Sequence, residues 1–452
     1  MRPIREAIQK KRAAGSSMGL RLLLYWFTMV LLLMAAILST LMATGVLSHP
    51  AHQLSGTLDI QQRNTYAALD SQMDALTAQS MAMSEKLGKE LDAFLAAKGI
   101  AFDELNNNPD TIAGLEKRLY TPLSNTLGAA SCSGIFFGLN VTANTSLPNA
   151  EDFRAGLYLR YSGLQPTVAS EQDVICFRGA AETARSLQLQ MHNRWNPELN
   201  AALIPGSDQV TAYQGARLAD GCLWTKRTEL PDTWEQVMLL CVPILDGGGT
   251  VRGFCGAEIS DLYFSLSHNT VPSAFGNMLT LAAPIDGDSL LLSGAMLGAT
   301  DGSRLTANGI LHISDGKYYT TYSDGKNTYL GRHQLLDAAT WDGIPPAAVT
   351  LVPDGTFRSY EKGSQIAWFL GAVLFLLAML VVATVLSRQF VKPINKSLAA
   401  VRGGAEMVAS GIPEIDELLA AIRERPTGTL PPDVEARLRG FAERASTLTG
   451  TE

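Results

Sequence analysis

Charge is scarce in this chain. Only 17% of its 452 residues are Asp, Glu, Lys or Arg, against about 25% in ordinary soluble domains. The shortage is concentrated: Leu22–Leu47 is 26 residues and Ile366–Leu386 is 21 residues without one charged side chain. Each reaches the roughly 20 apolar residues that cross a bilayer. A purely soluble chain is therefore excluded, as is a disordered or collagen-like one. Cysteine and histidine are also few, at five and six, and no Cys/His spacing suits zinc. Walker loop, dinucleotide fingerprint and serine elbow are all missing. No cofactor or metal is expected, and a membrane-anchored hydrolase, one alternative, lacks an assignable nucleophile.

The charges present are unevenly placed. Residues 1–21 carry +5, 387–452 carry 0 and 49–365 carry −12, within a net charge of −7. Arg2, Arg5, Lys10, Lys11, Arg12 and Arg21 precede the first apolar run; Arg388, Lys392, Lys396 and Arg402 follow the second. Basic residues beside span ends stay cytoplasmic. Two spans, 22–47 and 366–386, with both termini inside and 48–365 outside, are the expectation. A signal peptide cleaved near Ala43-Thr-Gly45 is the alternative for the first span, but its apolar stretch exceeds the usual ~7–15-residue signal core.

Within the outer region no proline interrupts Leu54–Ala97, and Leu69, Met73, Leu76, Met83, Leu87, Leu91 and Phe94 recur at helical spacing. A long amphipathic helix over 54–97 follows, about 60 Å long at ~1.5 Å per residue. Met73, Met81 and Met83 read as packing residues. After Asn106-Asn-Asn-Pro109 a second helix is expected to Leu127. Strand-like texture then appears in Gly134–Val141 and Gly156–Tyr161. Trp234–Asp246 and Thr250–Ile259, joined by Gly247-Gly-Gly249, read as a hairpin. A connecting helix after Ser260 and a strand-rich block over Met278–Pro353 complete an α+β region with two lobes.

All five cysteines, Cys132, Cys176, Cys222, Cys241 and Cys255, lie in this region. A hairpin centred on Gly248 sets Cys241 opposite Cys255, either bridged or packed as thiols; thiols are favoured, because no local pattern suggests a disulfide framework. A pocket for a carboxylate or zwitterion needs a guanidinium, aromatic walls and an acid for an amine. Tyr158, Arg160, Arg194, Trp195, Trp224 and Glu258 have that chemistry and form the candidate ligand-binding set. Asn140-Val-Thr142 and Asn144-Thr-Ser146 fit glycan sequons and read as chance in a bacterial layout.

Val242-Pro-Ile-Leu-Asp246, the glycines after it, Gly253 and Gly256-Ala-Glu-Ile259 resemble the central hairpin of bacterial Cache sensor domains. The order of anchored helix, distal lobe, proximal lobe and return span resembles a double-Cache (PAS-like) receptor, as does Tyr329-Leu-Gly-Arg-His333 ahead of Ala347–Pro353. The resemblance implies a distal lobe over about 98–262, a proximal lobe over about 263–360 and a small-molecule ligand in the distal lobe. One Cache subgroup binds amino acids through an Arg-and-aromatic pair, a downstream Tyr and a hairpin Asp. Arg194-Trp195 matches the pair and Glu258 the acid. Asn196-Pro197 departs from that pattern, and no Tyr-x-Asp match surrounds Cys222-Leu-Trp224.

Arg388–Leu398 resembles the opening of a HAMP linker and Ile412–Leu419 its second helix; 387–425 is expected to be such a segment or a plain juxtamembrane helix pair. Leu448-Thr-Gly-Thr-Glu452 contains a capping box, Thr449 with Glu452. It resembles the start of LuxR-type helix-turn-helix domains, so 426–452 reads as a linker into a truncated output domain. The expected function is a membrane-anchored receptor for a small ligand, dimeric through the long helix and in contact with membrane lipid. DNA would be reached only through an output domain absent from this chain. A binding or scaffold protein without output is the other alternative.

Overall fold

A computed structural model describes residues 18–43, 49–164, 173–192, 198–215, 217–269, 273–298, 309–337 and 343–403. It also describes 305, 341, 417, 420–421, 434, 436–437 and 440. Residues 47–365 form one compact unit, and 1–46 with 366–452 form the other. Arg194, Trp195, residues 404–416 of the HAMP-like stretch and the Leu448–Glu452 motif lie outside the described residues.

The smaller unit holds α1 (Met18–Ala43). In the larger unit, α2 (His49–Lys98) is followed by α3 (Pro109–Ala129), which Asn108 caps by accepting from Thr111 N–H. The spacing read from the sequence is the buried stripe of α2: Leu69, Met73, Leu76, Met83, Leu87 and Leu91 are all nearly inaccessible.

Among the described residues nine strands make the first sheet. They are β1 (Gly134–Leu139), β2 (Phe153–Tyr161), β3 (Val174–Gly179), β4 (Gln190–Met191), β5 (Leu199–Asn200), β6 (Leu223–Trp224), β7 (Thr228–Glu229), β8 (Gln236–Leu245) and β9 (Val251–Ser260). The order is β4-β3-β2-β1-β9-β8-β6, with β5 on β2 and β7 on β8. Side chains alternate between faces. Ile135, Phe137 and Leu139 pack with α2 and α3, while Phe136 turns to a second core with Tyr158, Phe177, Leu199, Ile204 and Leu230. Both faces are thus covered, one by helices and one by the irregular chain between β4 and β8. Gly88 lets α2 approach the hairpin: a Cβ there would lie 2.2 Å from the Leu245 carbonyl oxygen.

Ser260 caps α4 (Asp261–Ser267) by accepting from Tyr263 N–H. The second sheet follows: β10 (Leu279–Asp286), β11 (Ser289–Leu291), β12 (Met296–Gly298), β13 (Ile310–Asp315), β14 (Thr320–Ser323), β15 (Thr328–Leu335) and β16 (Pro346–Pro353). Its order is β11-β13-β14-β15-β16-β10-β12. Helix α2 is bonded to both sheets, through Ser84 Oγ to the Pro243 carbonyl at 2.6 Å and Gln62 Nε2 to the Ala348 carbonyl at 2.8 Å. The long α5 (Asp354–Gly403) contains the second apolar run. Among the described residues one helix, 354–382, is long and apolar enough to cross a membrane; Tyr25–Ala36 in α1 is a shorter apolar stretch.

The hairpin pairing differs from the sequence expectation. Leu245 pairs with Val251 as a turn centred on Gly248 requires, but a bulge between Ile244 and Leu245 shifts the rest. Cys241 then pairs with Gly256, and Val242 with Cys255. One extra residue on one strand moves every later side chain to the other face. Cys255 therefore packs with the helices and Cys241 with the second core, and all five cysteines are free thiols.

Candidate functional site

Strand alternation brings three of the sequence-chosen residues together. In register, Gly134 of β1 sits between Arg160 of β2 and Glu258 of β9, and Phe136 faces Tyr158. Position 134 has no side chain, so groups on the two flanking strands meet across it. A Cβ at Gly134 would lie 2.9 Å from Arg160 Cγ, 3.0 Å from the Leu159 carbonyl oxygen and 3.2 Å from Tyr158 Cε2. The glycine is a requirement of the site.

Glu258 is wholly buried. Its Oε1 accepts from Arg160 Nε at 3.1 Å, faces Arg160 Nη2 at 3.0 Å, and accepts from Ser133 Oγ at 2.6 Å. Its Oε2 accepts a short hydrogen bond from the Tyr158 hydroxyl. A buried carboxylate is tolerable only when paired and bonded in this way. Burial works against the charge on Arg160, but Glu258, Tyr158 and Glu235 outweigh it and raise the guanidinium above its ordinary value. Burial and Glu258 push the Tyr158 phenol well above its ordinary value, so it stays protonated and donates.

Several partners escaped sequence reasoning. A bulge between β2 and β3 sets Tyr158 against Arg178 and Leu159 against Cys176, leaving Phe177 as the extra residue. Phe177 and Arg178 then both serve the second face. Phe177 lies under two cations, with the guanidinium carbons of Arg160 and Arg178 4.5 and 5.3 Å from its ring centre. His192 packs on the same ring at 4.8 Å. Arg178 is 6% exposed and donates to the Leu203 carbonyl at 2.9 Å and to the Pro231 carbonyl. Burial, with the neighbouring Arg160 cation, lowers its pKa, and Tyr158, Asp232 and Glu258 offset this only in part. Glu235, just before β8, forms an ion pair with Arg160 Nη2 from the solvent side.

Trp224 lies apart from this cluster. It is 1% exposed, packs in the core that contains α2, and donates from Nε1 to Thr77 Oγ1 at 3.2 Å. Its backbone bridges to Trp341. Trp224 therefore packs in the helix-side core and bridges to the segment before β16 instead of lining the Arg160 cluster. A separate cavity of about 600 Å³ lies against Arg227, Asp261, Ser265, Ser293, Leu281 and Leu297. The Arg227 guanidinium there is committed to Asp261 through contacts of 2.7 to 3.0 Å.

No family model and no curated protein matches the chain. Solved structures with low similarity include the ligand-binding domain of the Pseudomonas aeruginosa PAO1 amino acid chemoreceptor PctB in complex with L-Arg. It is 13% identical over 69% of this chain and 92% of that one, with a TM-score of 0.38. The ligand-binding domain of Campylobacter jejuni chemoreceptor Tlp3 with L-norvaline is 10% identical over 68% and 94%, at 0.36. That of Pseudomonas fluorescens chemoreceptor CtaA with L-serine is 9% identical over 67% and 98%, at 0.35.

Proposed function

We propose that this chain is a membrane-anchored sensor that binds a small carboxylate-bearing molecule, amino acids included, on the second face of its first sheet. Tyr158, Arg160 and Glu258 form the inner wall of the site, and the sequence assigns Arg194 and Trp195 to it as well. The observation that carries the reading is the meeting of those three side chains, from two strands, over the bare backbone of Gly134. An arginine offers a planar fork to a carboxylate, the phenol and Phe177 exclude water, and a buried acid can receive an amine.

The remaining parts follow from the sequence pattern. Spans at 22–47 and 366–386 place 48–365 outside and both termini inside. Residues 387–425 act as a HAMP-like relay, two copies associate along α2, and relatives that carry a LuxR-type output domain read DNA through it. Thermal unfolding of the full-length protein in detergent tests the ligand reading, with L-amino acids and short-chain carboxylates added singly. Binders are expected to raise the melting temperature of the wild type. Arg160→Lys keeps the charge but loses the fork, and should weaken binding by about 10-fold, the equivalent of one charge-assisted hydrogen bond. If no member of the panel shifts the wild type, the reading fails.

A further inference from the structure

The charges buried on the second face do not balance among the described residues. Arg160 and Arg178 supply two cations, whereas Glu258 supplies one carboxylate. Arg178 meets backbone carbonyls, with the surface carboxylate of Asp232 and the shared Glu258 as nearby anions that favour its charge. The remaining countercharge on Arg160 comes from Glu235, whose side chain is 48% exposed. The inner partner is thus built into the sheet, while the outer one stands on a turn at the surface.

That turn is locally held. Leu230 N–H donates to the Glu235 carbonyl at 2.9 Å, Thr233 N–H to the Leu230 carbonyl at 3.1 Å, and Glu235 N–H to Thr233 Oγ1 at 3.1 Å. Asp232 takes a left-handed conformation at φ 61°. Next to Glu235, Trp234 is 96% exposed, a large indole with almost no cover. Rotation of the Glu235 side chain alone would uncover the outer side of Arg160 Nη2, which still faces Glu258 Oε1 at 3.0 Å, without breaking those three bonds.

We infer that Glu235 is an internal stand-in for the ligand: its carboxylate occupies the place on Arg160 that a ligand carboxylate takes, and binding requires its displacement. The inference rests on the proposed ligand site and adds a specificity rule. A ligand must bring its own carboxylate, because an amine alone would leave the outer side of Arg160 without an anion after Glu235 departs, with Glu258 its one remaining carboxylate partner among the described residues. Glu235 also sets affinity, since any occupant must compete with a tethered carboxylate. If the paired state holds about 90% of molecules, removing the competitor tightens binding about 10-fold.

The experiment uses the full-length protein in detergent and isothermal titration with three probe sets: L-amino acids, their decarboxylated amines and short-chain carboxylates. Glu235→Gln and Glu235→Ala are compared with the wild type. Carboxylate-bearing probes are expected to bind both variants about 10-fold more tightly, and amines not at all. In wild-type protein the fluorescence of Trp234, isolated by subtraction of a Trp234→Phe spectrum, should shift on binding. This second readout does not depend on the Glu235 variants folding. Equal or weaker binding by the variants, binding of the amines, or an unchanged Trp234 signal on wild-type binding overturns the inference while leaving the ligand site intact. A wild type that binds no probe overturns the site reading itself.

Discussion

Glu258→Ala is the most informative single change. It removes a carboxylate that is wholly buried and accepts from Arg160, Ser133 and Tyr158. Breaking a buried ion pair by deleting one partner costs about 3–5 kcal/mol, because the other charge stays buried. Here Arg160 keeps Glu235 on its outer side, which places its share at the low end. Ser133 Oγ retains the Glu258 backbone carbonyl at 3.0 Å as an acceptor, so only the Tyr158 hydroxyl is orphaned, at about 1–3 kcal/mol. The total is about 4–6 kcal/mol.

Denaturant unfolding of the detergent-solubilised protein measures it, with the buried indole of Trp224 as reporter. The Glu258→Ala, Arg160→Met double variant removes both charges and should recover about 2 kcal/mol or more of the loss, because the single loss is mainly an unpaired cation. A single-variant loss below about 1 kcal/mol, or a double variant that merely adds the two single losses, refutes this account of the cluster.

Three further outcomes are expected. Gly134→Val places methyl groups where Arg160 Cγ and Tyr158 stand; overpacking should cost about 1–3 kcal/mol and abolish ligand-induced melting shifts, read on the same samples. Non-reducing peptide mapping after mild oxidation should yield no Cys241–Cys255 linkage, because the bulge sends the two side chains to opposite faces. Between pH 4.5 and 6.5 two buried groups pull stability in opposite directions. Burial raises Glu116 to about 7, so its contribution is present below its unfolded value and lost as pH rises toward 7. Burial lowers His268 to about 4, so its contribution is present above its unfolded value and lost as pH falls toward 4. Glu116→Gln should unmask stability that rises with pH, and His268→Gln stability that falls, each seen in denaturant midpoints across that range.

Elements were more legible than pairings. The stripe from Leu69 to Phe94 announced α2 because a helix facing a core on one side must repeat its apolar residues at 3.6. The hairpin strands announced themselves through β-rich runs around Gly247-Gly-Gly249. Their register was not legible: nothing in Ile244 or Leu245 marks a bulge, and that single residue decided the fate of Cys241 and Cys255. The same cause hid part of the site. Tyr158, Arg160 and Glu258 were chosen on chemistry, but Arg178 and Phe177 reach the second face through another bulge. Glu235 arrives from a turn far along the chain. Gly134 was the missed clue, since a glycine inside an apolar strand marks a place where neighbouring groups close in. Chemistry alone did not place Trp224, because a tryptophan suits a pocket wall and a buried core equally well.

The site is also tied to the element that joins the two sheets. Ser133 N–H donates to the Glu258 carbonyl at 2.8 Å, Ser133 Oγ donates to its carboxylate at 2.6 Å, and Ser133 Oγ accepts from Ser260 N–H at 2.8 Å. Ser260 in turn caps α4, and Gly298 of β12 takes the backbone of His268, just beyond α4, so closely that a Cβ would lie 2.5 Å from the His268 carbonyl oxygen. A ligand transmits a signal only through groups whose contacts differ between its bound and free states. Glu258 is such a group if an amine binds its carboxylate, because Ser133 and Arg160 must then share the acceptor with a third donor. The first neighbour to adjust is Ser133, and it holds the N-terminus of the helix that leads to the second sheet.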